Sequence, residues 1–151
     1  MLKCKIVHPS MDDERRIMNR FTRRHDITIN QVMSIDQILN MRTVLDQVYC
    51  DEKVADYILN VVFATRNPED YKLNIKHHIE YGASPRATLY LNLAARANAM
   101  LNGRAYATPQ DVKEIAHDVL RHRIILTYEA EAEEVSSEDI ITQILGNIEV
   151  P

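Results

Sequence analysis

Only three glycines, Gly82, Gly103 and Gly146, occur in 151 residues. Tight hairpins draw on residues that tolerate positive φ, so a chain this poor in glycine cannot hold many of them. Long stretches without a breaker favour helices. Four of the five prolines, Pro9, Pro68, Pro85 and Pro109, fall at points of punctuation, and the fifth is the last residue. With 46% hydrophobic and 26% charged residues, the chain suits one compact domain or two very small ones and excludes disorder as its main state. Its longest apolar stretch, residues 57–64, is far short of the roughly 20 residues a membrane span needs. No signal peptide is evident at the N-terminus. Cys4 and Cys50 are too few for a disulfide framework, and a reducing, cytoplasmic setting is expected. A net charge of −4 argues against generic binding to nucleic acid.

Residues 2–7 alternate, with Leu2, Cys4 and Ile6 on one side, and predict a short strand. It has no neighbour in sequence to pair with, so it is expected to be loose or to pair with another chain. Helix starts follow at Ser10, at Ser34 with a capping box to Gln37, at Asp51, at Ser84-Pro85, at Thr108-Pro109 and at Ser136. The spacing predicts Ile17, Met18 and Phe21 inward on the first helix, which frays across residues 20–25. Ile38, Met41, Leu45 and Val48 line the second, and Val54, Tyr57, Ile58, Val61 and Val62 the third. Residues 67–83 read as a loop with a short helical turn near Ile75 to Glu80. Leu89, Leu93, Ala97 and Met100 are the expected core stripe of the longest helix, Ala94 and Ala95 allow close approach of a neighbour, and Gly103 closes the helix in left-handed conformation. Tyr106 is placed in a short extended bridge. Val112, Ile115, Ala116, Val119 and Leu120 mark the next helix. An acidic loop from Glu129 to Glu134 precedes the last one, which buries Ile140, Ile141, Ile144, Leu145 and Ile148. The fold class is all-α, a small bundle of about six helices with a short residual N-terminal strand. The first two helices are weakly coupled to the rest.

One helix start breaks the charge rule. The starts at Ser10, Ser34, Thr108 and Ser136 place Asp, Glu or Gln in the first turn, where negative charge complements the helix dipole. At Ser84 the first turn reads Pro85-Arg86-Ala87 and holds a cation instead. Backbone N–H groups, a hydroxyl and a guanidinium converge there, which are the requirements of an anion site. Spacing leaves open a plain surface arginine reaching a nearby carboxylate. Arg121 and Arg123 could face a nucleotide or a neighbouring subunit, or compensate a helix C-terminus; Arg66 has the same alternatives. Arg104 is expected in solvent. His77 and His78 are adjacent and cannot form the i, i+4 pair of a helical zinc site, and His117 and His122 are five apart, so no metal is expected. Cys50 reads as a small apolar group rather than a nucleophile.

Tyr81-Gly82-Ala83-Ser84-Pro85-Arg86-Ala87 resembles the sensor 2 motif of MoxR-type AAA+ ATPases. Ala64-Thr65-Arg66 before it, and residues 103–112 and 119–124 after it, continue the resemblance in order. Met1 to Ser10 is similar to the last strand of that ATPase core, just beyond its arginine finger. The resemblance implies that residues 1–48 are the end of the core and a linker, and that residues 49–151 are the helical lid. It implies that Ser84, Pro85 and Arg86 form the nucleotide-binding turn, with Arg86 the sensor 2 arginine at the γ-phosphate of ATP. Implied partners are the chain's own core domain, neighbouring subunits of a ring, commonly a hexamer, and a von Willebrand factor A domain protein. Chaperone-like assembly of protein complexes or metal insertion is the implied work, with no nucleic acid and no membrane involved.

The sequence contains no G-x-x-x-x-G-K-[ST], no hydrophobic run ending in paired acids for Mg²⁺, and no arginine finger. It reads as the C-terminal lid portion of a larger ATPase, inactive alone. Two other functions compete. A stand-alone helical interaction module predicts a polar, closed surface around Arg86 and an apolar patch elsewhere. A helix-turn-helix DNA binder would use Thr108 to Arg123, but Asp111 and Glu114 would repel phosphate at the reading end. Calorimetry on the chain alone is expected to show no ATP binding in the micromolar range; such affinity would overturn the lid reading.

Overall fold

The computed structural model describes residues 1–22 and 28–151. Residues 23–25 of the expected frayed stretch lie outside the described residues. Among the described residues seven helices follow in order: α1 Met11–Phe21, α2 Ile35–Leu45, α3 Glu52–Ala64, α4 Pro85–Leu101, α5 Pro109–Leu120, α6 Tyr128–Ala132 and α7 Ser137–Asn147. Two 3₁₀ turns, Pro68–Tyr71 and Lys76–His78, lie between α3 and α4. Strands β1 (Ile79–Tyr81) and β2 (Ile125–Leu126) pair antiparallel, Ile79 opposite Leu126 and Tyr81 opposite Ile125. The fold is all-α, with this small ribbon as its one sheet among the described residues.

The helix starts form for the reasons their sequences give. Ser34 accepts the Gln37 N–H while the Gln37 side chain accepts the Ser34 N–H, and Thr108 with Asp111 and Ser136 with Asp139 repeat the device. Gly103 closes α4 at φ +71°, a conformation that costs any residue with a Cβ. Val54, Tyr57, Ile58, Val61 and Val62 are buried on α3, and all five expected residues are buried from Ile140 to Ile148. These faces pack with α4 and α5 into one core.

Four of the expected elements need correction. Residues 2–7 form no strand; they are exposed, and Lys3 donates its N–H to the Asp118 carbonyl at 2.8 Å. Among the described residues no strand lies beside them, so no ladder forms. Ile17, Met18 and Phe21 are 48%, 55% and 66% exposed, and neither α1 nor α2 buries a residue. The stripe expected on α4 is rotated. Leu89 is 63% exposed and Leu93 36%, while Ala87, Leu91, Ala94, Ala95 and Ala99 face the core. Small side chains allow close approach to α3 and α5, so area per residue gave way to proximity. Finally, residues 129–132 of the expected acidic loop belong to a helix, Tyr128–Ala132, which starts where the Thr127 hydroxyl accepts the Ala130 N–H.

Two polar ties fix the rest. Arg96 on α4 donates to the carbonyls of Leu45 (2.7 Å) and Val48 (2.9 Å). Beside it Tyr49 donates to the Ala105 carbonyl at 2.8 Å and accepts from Ala107 at 2.9 Å, which forms the bridge expected at Tyr106. At the α4–α5 turn Asp111 is 1% exposed. Arg104 grips both its carboxylate oxygens, at 2.6 and 2.8 Å. Asn98 and the Thr108 N–H and hydroxyl complete its shell at 2.7–2.9 Å. Arg104, expected in solvent, is thus paired with a buried carboxylate while staying partly exposed itself.

Burial alone would raise the Asp111 carboxyl, but the hydrogen bonds from Arg104, Thr108 and Asn98 outweigh it and hold it well below the usual carboxylate range. A depressed folded-state value stabilises the fold above the unfolded carboxylate value of about 4, and that contribution is lost as pH falls below it. Asp111→Asn is expected to flatten the acid limb of stability below about pH 4 and to cost about 2 kcal/mol at neutral pH, since it removes charge-assisted hydrogen bonds to a buried side chain. Urea unfolding of both proteins from pH 3 to 7 checks this.

Candidate functional site

The first turn of α4 carries the expected cation in the open. Arg86 is exposed, and among the described residues it has no ion pair and no hydrogen bond. The Ser84 hydroxyl makes no capping bond. The hydroxyls of Ser10, Ser34, Thr108, Thr127 and Ser136 all do. Pro85 has no N–H to offer, and the Ala87 N–H turns back to the Ser84 carbonyl at 2.8 Å. The donors left at this point are the Ser84 hydroxyl, the Arg86 N–H and the Arg86 guanidinium. Together they suit an anion with several oxygens.

Arg86 sits on the side of α4 away from the core. Helical spacing puts Leu89, Tyr90, Leu93 and Ala97 on its face. Arg86, Thr88, Leu89, Tyr90, Asn92 and Leu93 line an open groove of about 470 Å³. The leucines that were expected inside therefore line a groove with the arginine outside.

The end of α3 holds this turn in place. Thr65 is fully buried; its hydroxyl donates to the Val62 carbonyl at 2.6 Å and accepts the Ala83 N–H at 2.8 Å. Next along the chain, Arg66 donates Nε to the Ala83 carbonyl at 2.6 Å. Its guanidinium also lies 5.1 Å from the Phe63 ring centre. Between the two, Gly82 passes so close that a Cβ would stand 2.3 Å from the Thr65 carbonyl oxygen. Sequence reasoning quoted Thr65 and Gly82 but assigned them no task; the signal was a glycine in a chain with almost none.

The other candidates separate. Arg66 spends its Nε on Ala83. Arg121 donates to Glu138 at 2.7 Å, to Asp118 and to the Lys3 carbonyl. Arg123 lies 5.0 Å from the ring centre of Tyr90, one turn beyond Arg86, and its buried Nε has no hydrogen-bond partner among the described residues. His77 and His78 meet a carboxylate that spacing did not reveal: they and Glu133 place ligand atoms within 4.8 Å of one another, with His78 Nε2 2.9 Å from Glu133 Oε2. Cys50 is half-buried and accepts from Asn92 at 3.3 Å; burial pushes its thiol up, away from nucleophilic character.

Comparison with known proteins bears on this geometry. The AAA lid domain family matches residues 72–144. The chain is similar over its whole length to the chaperone MoxR1 of Mycobacterium tuberculosis H37Rv, at 38% identity and covering 40% of that protein. Part of it, 47%, is 38% identical to the protein MoxR of Paracoccus denitrificans, over 22% of that protein. A crystal structure of a Cytophaga hutchinsonii protein classed as an ATPase superposes on all of the chain with a TM-score of 0.94 at 38% identity, over 46% of its own length. The chain spans less than half the length of each of these relatives.

Gly82→Ala is expected to destabilise the fold by about 1–3 kcal/mol, because a backbone atom, not a flexible side chain, occupies the space. Gly146→Ala, where a Cβ meets nothing within 4 Å, serves as the control in thermal melts.

Proposed function

From a chain homologous to MoxR chaperones over its whole length, with an AAA lid domain at residues 72–144, we propose that this lid supplies a sensor 2 arginine, Arg86, to ATP held by a nucleotide-binding core. Residues 1–48 belong in this proposal to the end of the core and the linker, and residues 49–151 to the lid. The observation that carries it is the exposed Arg86 at the start of α4, unpaired among the described residues and lining an open groove with Leu89 and Leu93. An interaction module that worked alone would enclose the arginine in polar surface. An apolar groove beside an uncompensated cation fits a face that another domain covers.

The donors fit the group. A guanidinium, a hydroxyl and an N–H match the oxygens of a terminal phosphate. No carboxylate lines the groove, so Mg²⁺ is left to the core. ATP supplies the transferable phosphoryl group. Arg86 binds its terminal phosphate and offsets negative charge there; the charge gains most where water is excluded, as Leu89 and Leu93 would do under a covering domain. Arg123, free of carboxylate partners among the described residues, stands as a second cation toward nucleotide or a neighbouring subunit. Arg66 and Arg121 are engaged within the lid.

Motion of the lid against the core would convert nucleotide state into work on a client. Ring assembly, a hexamer with a von Willebrand factor A domain partner, and chaperone-like remodelling complete the proposal. No described helix is long and apolar enough to cross a membrane, and we place the protein in the cytoplasm.

In a polypeptide joining this lid to its core, Arg86→Ala is expected to lower kcat for ATP hydrolysis by about a hundredfold, the size of effect seen when one charge-stabilising donor is removed. The circular dichroism melt should stay unchanged, because Arg86 supports nothing in the fold. Unchanged turnover overturns the assignment.

A further inference from the structure

Ala83 has both of its peptide polar groups held by consecutive residues at the end of another helix. Its N–H goes to the Thr65 hydroxyl at 2.8 Å, and its carbonyl accepts from Arg66 Nε at 2.6 Å. Thr65 is fully buried and its hydroxyl is used in both directions, since it also donates to the Val62 carbonyl at 2.6 Å. Gly82 presses its backbone onto that of Thr65, at a distance where no side chain fits.

From Ala83 to Arg86 little freedom remains. Ser84 precedes a proline, which disfavours helical backbone and leaves the extended conformation it adopts, φ −74° and ψ 169°. The ring of Pro85 fixes its own φ. Arg86 is in the helix, and the next residue, Ala87, is buried in the core. The direction in which Arg86 leaves the lid therefore follows from where the end of α3 holds Ala83.

We propose that Thr65 is a positioning residue for Arg86: its hydroxyl sets the registry between the ends of α3 and α4 and so aims the guanidinium. The proposal rests on the sensor 2 role given to Arg86 above. A valine at position 65 would match the shape but leave the buried Ala83 N–H without a partner. A serine would keep both hydrogen bonds.

Two measurements test it. In the chain as it stands, Thr65→Val is expected to speed amide hydrogen exchange at Ala83 by about tenfold or more, the loss of one buried hydrogen bond, with α5 and α7 unchanged. Thr65→Ser should exchange like the parent. Unchanged exchange at Ala83 in Thr65→Val overturns the clamp whatever Arg86 does. In the polypeptide carrying the core, Thr65→Val is expected to lower kcat for ATP about tenfold with KM moved less than about threefold, and Thr65→Ser to restore it. If Arg86→Ala slows turnover while Thr65→Val releases Ala83 without slowing it, the positioning role falls and the sensor role survives. If neither variant slows turnover, the sensor role falls and takes the positioning role with it.

Discussion

Ala87, Ala94, Ala95 and Ala99, with Leu91 among them, give α4 a buried face of little side-chain thickness. This helix packs on both α3 and α5, and close approach makes up in contact what the small side chains lack in area. Once that face is committed inward, the opposite one is committed outward, because a helix has only one rotation about its axis. Leu89, Leu93 and Arg86 go to the surface together. The chemistry of the site is thus a consequence of which stripe the core takes.

The polar ties then remove the remaining freedom. Asp111 is deeply buried and would be costly to leave unmatched, yet Arg104, Asn98 and Thr108 surround it at hydrogen-bond distance. It caps α5 and anchors the residue that follows the α4 terminus at once. At the other end of α4 the contact is backbone to backbone, Gly82 against Thr65, with Arg66 and Thr65 taking up the polar groups of Ala83. A helix fixed in this way at both termini presents its outer face without slack.

Much of the fold was legible in the sequence, because it is written in local chemistry. Capping at Ser34, Thr108 and Ser136, the left-handed Gly103 and the apolar faces of α3 and α7 each depend on residues a few positions apart. The breach of dipole polarity at Arg86 was also local, and it located the candidate site. What escaped depends on distance. Periodicity put a leucine stripe in the core of α4 and gave Ala94 and Ala95 only the close approach of a neighbour, since the choice between the two faces lies in neighbouring helices. The β1–β2 ribbon joins residues some 45 apart over two or three residues each, too short for alternation to register. Arg104 and Thr65 look ordinary until Asp111 and Ala83 are placed beside them, and Glu133 reaches His78 across 55 residues.

Arg96 lies on the same rod as Arg86, ten residues and about 15 Å further along, and it is fastened to the carbonyls of Leu45 and Val48. The chain entering the lid is thereby riveted to the helix whose tip carries the guanidinium. Tyr49, laced between Ala105 and Ala107, adds a second rivet. A pull at the tip is therefore shared with Leu45 and Val48 through Arg96, and with Tyr49 through its bridge to the segment after α4.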